Sequence, residues 1–190
     1  YFLFSSYERR FKDSAEYYKK YYEAAATLGA TTVVLHGDCV GSRLSMEEYC
    51  SRLLQMNGDA KTQGVLISHE NVNKFRAYSA EEITLIRKGT NAEIGFVFDV
   101  KQAVRSGQNV YDVYNAMKGN IACVHISDNQ NGNDCMLPGK GNFDFGQLFE
   151  RLSADGFQGS YLIEVYRDAY QNLSELIESC NYVTNIHKKR

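Results

Sequence analysis

Five short segments of this chain, TTVVL, GVLI, IGFVF, IACVHI and SYLIEV, are rich in β-branched and aromatic residues and apolar at odd and even positions alike. A strand with one face in water alternates apolar and polar residues, so segments without that alternation are covered on both faces, as in a parallel sheet flanked by helices. Between them lie helical segments with recognisable starts. A short polar side chain followed three residues on by an acid or amide satisfies the free N–H groups of a first helical turn. Asp13 with Glu16, Ser45 with Glu48, Ser79 with Glu82, Asp144 with Gln147, and Asn172 with Glu175 all fit. Gly29, Gly58, Gly89, Gly119 and Gly156 are placed to close helices, where a left-handed residue is cheap only for glycine. The pattern predicts repeated parallel β/α units.

Each of the five strands ends in a side chain that can ligate a metal or move a proton: His36, Glu70, Asp99, His125 and Glu164. The carboxyl ends of parallel strands open onto one face, so these five residues converge. An open nucleotide-binding sheet would carry a glycine-rich turn after its first strand, and neither GxGxxG nor GxxxxGK[ST] occurs. In an open sheet only strands near the reversal of strand order feed the site, whereas in a barrel every strand does. Functional residues on five consecutive strands therefore favour a (β/α)8 barrel. A full barrel has eight units in about 250 residues, so the chain reads as the C-terminal five units, strands 4 to 8. The chain opens at Tyr1 in a helix rather than a strand, which points to N-terminal strands missing upstream.

At 190 residues with 44% hydrophobic content the chain can bury a core and reads as one partial barrel domain, residues 1–190. A formal net charge of -2 and no visible basic patch argue against nucleic acid and for a small substrate. Cys39, Cys50, Cys123, Cys135 and Cys180 are odd in number and form no CxxC pair, which suits free thiols in the cytoplasm. No apolar run is long enough to span a bilayer, and the YFLFSSYERR opening lacks the pattern of a signal peptide.

Glu70, Asp99, His125 and Glu164 form a mixed carboxylate and imidazole set that suits one divalent ion, Mn, Co, Mg or Zn, with open positions for substrate. A single acid at a strand end can equally cap a helix. Four ionisable groups at the ends of apolar strands are costly to gather unless a cation or substrate compensates them. His36 can hydrogen-bond a substrate hydroxyl, orient a ligand, or cap the next loop. His69 points away from Glu70 by strand alternation and reads as a packed or capping residue, while His187 in the IHKKR tail reads as solvated. Asp38 and Cys39 beside His36 fit a polar loop better than a second metal site. The YYKKYYE stretch reads as a packing helix surface, and the PGKG turn carries Lys140 where a lid over the substrate would sit.

The HEN run with Asn73 and Phe75 after it, FDVKQA around Asp99, VHISDN around His125, LPGKGNFDF, and YLIEVY around Glu164 resemble the sugar phosphate isomerase/epimerase group of xylose isomerase-like TIM barrels. This superfamily also holds ketose 3-epimerases, inosose dehydratases and endonuclease IV enzymes. The resemblance covers residues 14 to 188 and implies one divalent ion held by Glu70, Asp99, His125 and Glu164. It implies a cation beside the carbonyl of a hydroxyketone, which acidifies the neighbouring C–H and stabilises the enediolate. Glu70 and Glu164, facing each other, would then remove and return the proton. That is epimerisation or aldose–ketose isomerisation; loss of a β-hydroxyl after the same abstraction would be inosose-dehydratase-like chemistry.

Three departures from the family pattern bear on substrate. Gln102 stands where many relatives carry a histidine and suits a substrate hydroxyl rather than a second metal. Arg76 replaces an acid and either favours an acidic or phosphorylated substrate or faces solvent. NQNGN stands where relatives carry an arginine. An endonuclease would need more histidines and a basic groove, which the chain does not offer. A five-strand piece would also expose two sheet edges, so as a whole protein it would be a catalytically weak or inactive homo-oligomer that covers them.

Overall fold

The computed structural model describes residues 3–188; Tyr1 and Phe2 of the opening segment and Lys189 and Arg190 of the basic tail lie outside them. Among the described residues seven strands are formed: β1 (Thr32–Leu35), β2 (Leu66–Glu70), β3 (Gly95–Asp99), β4 (Ile121–Ile126), β5 (Asp128–Gln130), β6 (Asn133–Met136) and β7 (Ser160–Ile163). Five of them make one sheet in the order β1-β2-β3-β4-β7, every neighbouring pair parallel. Sequence order equals spatial order, as in consecutive staves of a barrel. The helices α1 (Glu8–Thr27), α2 (Met46–Lys61), α3 (Ala80–Gly89), α4 (Val100–Arg105), α5 (Val110–Met117), α6 (Phe145–Ala154) and α7 (Leu173–His187) fill the connections.

Burial follows position in the sheet. Every residue of β3 is buried, with Phe96, Val97 and Phe98 fully so, whereas the edge strands β1 and β7 leave Val34 40% and Leu162 50% exposed. Fully burying a side chain of this size contributes about 2 to 3 kcal/mol relative to exposing it, so the centre of the sheet anchors the fold. The core extends from these strands to Tyr49, Leu53 and Met56 of α2, Ile83 and Ile86 of α3, Tyr114 of α5, and Phe145 and Phe149 of α6.

Four of the five expected N-caps are present. The side chains of Ser45, Ser79 and Asp144 accept from the backbone N–H three residues on, and Asn172 with Glu175 forms a full capping box. Asp13 is a correction: α1 starts at Glu8 behind an uncapped Tyr7, because Phe11, Ala15 and Tyr22 bury one helical stripe that extends upstream of Asp13. Asp13 instead faces Arg9 across one turn at 4.0 Å. Gly58 is a second correction, since it lies inside α2, and the left-handed residue after that helix is Gly64 at φ +71°. The helix runs through Gly58 because Asn57 is fixed on both sides, its amide donating to the Glu93 carbonyl and accepting from Ile67 N–H. Gly89 is the last residue of α3, and the left-handed turn falls on Asn91 and Ala92.

The β5–β6 hairpin was not among the expected strands. Its two-residue connection is Asn131-Gly132, both left-handed at φ 52° and 83°, which is the turn chemistry that suits the twist of a two-stranded ribbon. The signal was present in NQNGN, but its flanks are too polar to read as strands.

Candidate metal centre

The sheet register puts the strand-end residues on one face. Leu35 pairs with His69, Glu70 with Val97, Asp99 with His125, and His125 with Leu162, so His36 stands beside Glu70 and Asp99 beside His125, while Asp99 and Glu164 each lie two residues beyond the partner of the preceding site residue and keep the same side of the strand. Asn71, fully buried after Glu70, locks part of that arrangement: its amide accepts from Asp99 N–H at 2.7 Å and donates to Asp99 C=O at 2.9 Å. Asp99 itself is divided. Its Oδ1 caps α4 by accepting from Gln102 N–H at 2.9 Å, which leaves Oδ2 for the site. Glu164 follows β7, with its N–H donating to the Ile126 carbonyl at 3.1 Å.

Glu70, Asp99, His125 and Glu164 each offer one ligand atom, and these atoms all lie within 4.8 Å of one another. His125 Nδ1 stands 3.1 Å from Glu164 Oε2, 3.3 Å from Glu70 Oε1 and 3.7 Å from Asp99 Oδ2. One ring nitrogen thus faces three carboxylates. Asp99 Oδ2 is buried and accepts no well-formed hydrogen bond, its near neighbours being the cationic Lys101 Nζ at 3.2 Å and His125 Nδ1 at 3.7 Å, so a further positive partner there would offset the cost of its burial. The donor set of three carboxylate oxygens and an imidazole could hold a hard or borderline divalent ion, and the arrangement fits one.

The electrostatics reflect a crowded anionic pocket. Burial works against the Glu70 carboxylate, but hydrogen bonds from His125 and His36 outweigh it and bring Glu70 down to about 2. Burial pushes Asp99 up to about 6 against the pull of His125. The His125 imidazole is raised well above the ordinary range, burial being overcome by Asp99, Cys123, Glu164 and Glu70. Glu164 is held low, chiefly by His125.

His36 joins the rim of the cluster, its Nε2 3.3 Å from Glu70 Oε2 and its side chain 61% exposed. Beside it a cavity of about 410 Å³ is lined by apolar residues including Phe4, Val34 and Phe75. Gln102 is buried, and its amide oxygen accepts from Asn73 N–H at 3.1 Å. Arg76 does not face solvent: its guanidinium donates to Ser42 Oγ and the Leu44 carbonyl, lies 3.8 Å from Asp38 and covers the Tyr49 ring. Asp38 and Cys39 therefore belong to a loop organised by Arg76, as a polar-loop reading expects. Lys140 is exposed at its turn. His69 is fully buried, bonded to the Tyr49 hydroxyl at 2.5 Å and the Glu70 carbonyl at 3.0 Å. His187 is exposed at the end of α7, as the solvated reading expects, with its ring edge-on to Phe149 and Tyr161 at 5.4 Å and 5.2 Å.

Two residues escaped the sequence reading. Lys101, buried two residues after Asp99, places Nζ 2.8 Å from Glu164 Oε2 and 3.2 Å from Asp99 Oδ2. Burial works against its ammonium, yet Asp99 and Glu164 hold it above the ordinary lysine range. A lysine so close to Asp99 in FDVKQA was the available signal, and only the fold reveals that the first turn of α4 aims it inward. Asp128 is the second. Its buried carboxylate accepts from the backbone N–H groups of Asn129, Gly139, Gly141 and Phe143, each at 2.9 Å, and so shapes the PGKG turn. A Cβ on Gly141 would meet that carboxylate at 2.5 Å, which accounts for the glycine.

Among known proteins, residues 1–186 match the family described as xylose isomerase-like TIM barrel. L-ribulose-5-phosphate 3-epimerase UlaE of Shigella flexneri serotype 5b (strain 8401) is 34% identical over 67 residues, which are 34% of this chain and 24% of UlaE. The match thus spans about a quarter of that relative's length. The crystal structure of a D-tagatose 3-epimerase-like protein superposes with a TM-score of 0.79 at 23% identity, covering 97% of this chain and 72% of that one. That of the IOLI protein with a binding zinc atom superposes with a TM-score of 0.77 at 22% identity, covering 96% and 72%. Five parallel staves in sequence order, ligating residues at their carboxyl ends and the family match agree: this chain belongs to the xylose isomerase-like TIM barrel family.

Proposed function

We propose that this chain carries the metal-binding and proton-transfer site of a sugar or sugar phosphate isomerase/epimerase. The carrying observation is the gathering of Glu70, Asp99, His125 and Glu164 around one point, with Glu70 and Glu164 arriving from strands separated by two others. A divalent ion held by these four would stabilise negative charge on the oxygens of a bound hydroxyketone. Glu70 and Glu164 are both held ionised, the form that accepts a proton from a C–H beside a carbonyl. Glu164, 41% exposed at its side chain, is placed to meet substrate, while Glu70, 4% exposed, is held by two histidines. His36 on the rim supplies a hydrogen bond to a sugar hydroxyl, Lys140 reaches the substrate from its exposed turn, and Gln102 and Arg76 act on the substrate side through the loops they brace. The UlaE likeness and the sugar epimerase named among the structural neighbours support this substrate class.

The same proton abstraction serves a dehydration, so product analysis decides the reaction class. Incubation with ketoses and ketose phosphates in deuterium oxide should put deuterium on the carbon beside the carbonyl without loss of water. An unsaturated product would move the assignment to a dehydratase. Metal analysis should find about one divalent ion per chain, and a protein that takes up none would refute the site. The exposed edges at β1 and β7 are surfaces for pairing with further strands or a second copy, and sedimentation at several concentrations tests the homo-oligomer. Among the described residues no helix is long and apolar enough to cross a membrane.

A further inference from the structure

A four-ligand metal site does not by itself call for a buried lysine. Lys101 has a side chain only 1% exposed, yet its ammonium contacts Glu164 Oε2 and Asp99 Oδ2, two of the oxygens that His125 Nδ1 also faces. The Tyr166 ring covers it, 5.2 Å from Nζ to the centroid. A second cation on that ring, Arg105, is engaged by both oxygens of Asp134 at 2.6 and 2.7 Å. Lys101 is thus directed at the cluster and Arg105 away from it.

Charge decides what this does. Glu70, Asp99 and Glu164 together carry three negative charges, which a dication and one ammonium balance and a dication alone does not. The ammonium and the ion also draw on the same oxygens, so each weakens the other's hold, the more so where water is scarce. We propose that Lys101 is a positioning residue, a resident counter-cation that holds Asp99 and Glu164 in place before the ion enters and keeps the bound ion exchangeable afterwards. The proposal rests on the metal-site reading above.

The test is calorimetric titration of the metal-free protein with Mn²⁺ at one pH, alongside thermal melts with and without the ion. K101M and K101Q should bind Mn²⁺ about tenfold more tightly or better, while K101R stays near the parent protein. Without the ion both neutral variants should melt earlier, and Mn²⁺ should raise their Tm by more than it raises the parent's. Should K101M fail to fold, K101Q, which keeps a hydrogen-bond donor, carries the comparison. A lysine with only a packing role would lower Tm equally in both conditions and leave the affinity unchanged, which overturns the proposal, as does weaker binding by the neutral variants. A parent protein that binds no Mn²⁺, with D99N indistinguishable from it, instead brings down the metal reading and this proposal with it.

Discussion

The central strands of the sheet and its edge strands end in the same kinds of residue but hold them differently. Glu70 and Asp99 cap the central β2 and β3 with side chains 4% and 1% exposed, whereas His36 and Glu164 follow the edge strands β1 and β7 at 61% and 41%. The central pair is fixed from several sides: Asp99 by Asn71 and its own helix cap, Glu70 by two imidazoles. The edge pair meets more solvent, although Glu164 is still held by Lys101 and His125 while His36 reaches only Glu70 in the cluster. The least exposed carboxylates thus sit where the sheet is most buried, and the two groups open to solvent sit at its edges.

That contrast can be broken most forcefully by removing the Asp99 and Glu164 carboxylates in turn. Asp99→Ala should abolish ion uptake and cost about 3 to 5 kcal/mol in denaturant unfolding, because a helix cap and a buried partner of Lys101 are lost together. Glu164→Gln removes one of the two carboxylates that hold the buried Lys101 ammonium and leaves Asp99 in place, so it should cost about 1 to 3 kcal/mol, yet reduce turnover by about 100-fold or more, the range of general acid–base catalysis. Equal stability losses in the two variants would mean that the edge is as rigid as the centre.

A comparable contrast holds in the loop after β4. Asp128→Ala strips four backbone donors of a buried acceptor and should destabilise the protein by about 3 kcal/mol, whereas Lys140→Ala at the exposed turn should stay within about 0.5 kcal/mol. Chemical denaturation of both variants measures the difference. If the two cost the same, the turn is not organised by Asp128.

His69 sharpens the comparison through pH. Complete burial pushes it down to about 4, so the unfolded chain binds the proton more readily than the folded one. Its contribution is full above about pH 6.5 and is lost as pH falls toward 4, to a limit of about 3 kcal/mol. The stability difference between the parent and His69→Gln should therefore shrink over that window. A difference independent of pH would show that His69 is not buried neutral.

The smallest effect is expected on the rim. His36→Gln, which keeps a hydrogen-bond donor at the exposed edge, should raise KM by about threefold to tenfold with little change in stability. Steady-state kinetics on the preferred ketose reads this directly, and a collapse of turnover would move His36 from the rim into the proton-transfer machinery.

Much of this architecture was legible because it is written in local patterns. Strands apolar on both faces, capping pairs and strand-end ligands are decided by nearest neighbours in sequence. The misreadings have one cause. Asp13 and Gly58 carry the local marks of helix ends, but the buried stripe of α1 and the two-sided grip on Asn57 extend those helices past them. Arg76 looked free in the sequence because its partners, Ser42, Leu44 and Asp38, are more than thirty residues away in the chain.

By itself the sequence determined a parallel β/α sheet and the four residues Glu70, Asp99, His125 and Glu164 at its carboxyl ends, since period and spacing specify both. Only the tertiary structure decided which charges share the site. Lys101 turns inward because the first turn of α4 starts on Asp99, and it meets Glu164 because β4 brings β7 into register sixty-three residues later. Contacts at that separation depend on sheet register, a property of the folded chain and not of any one segment of it.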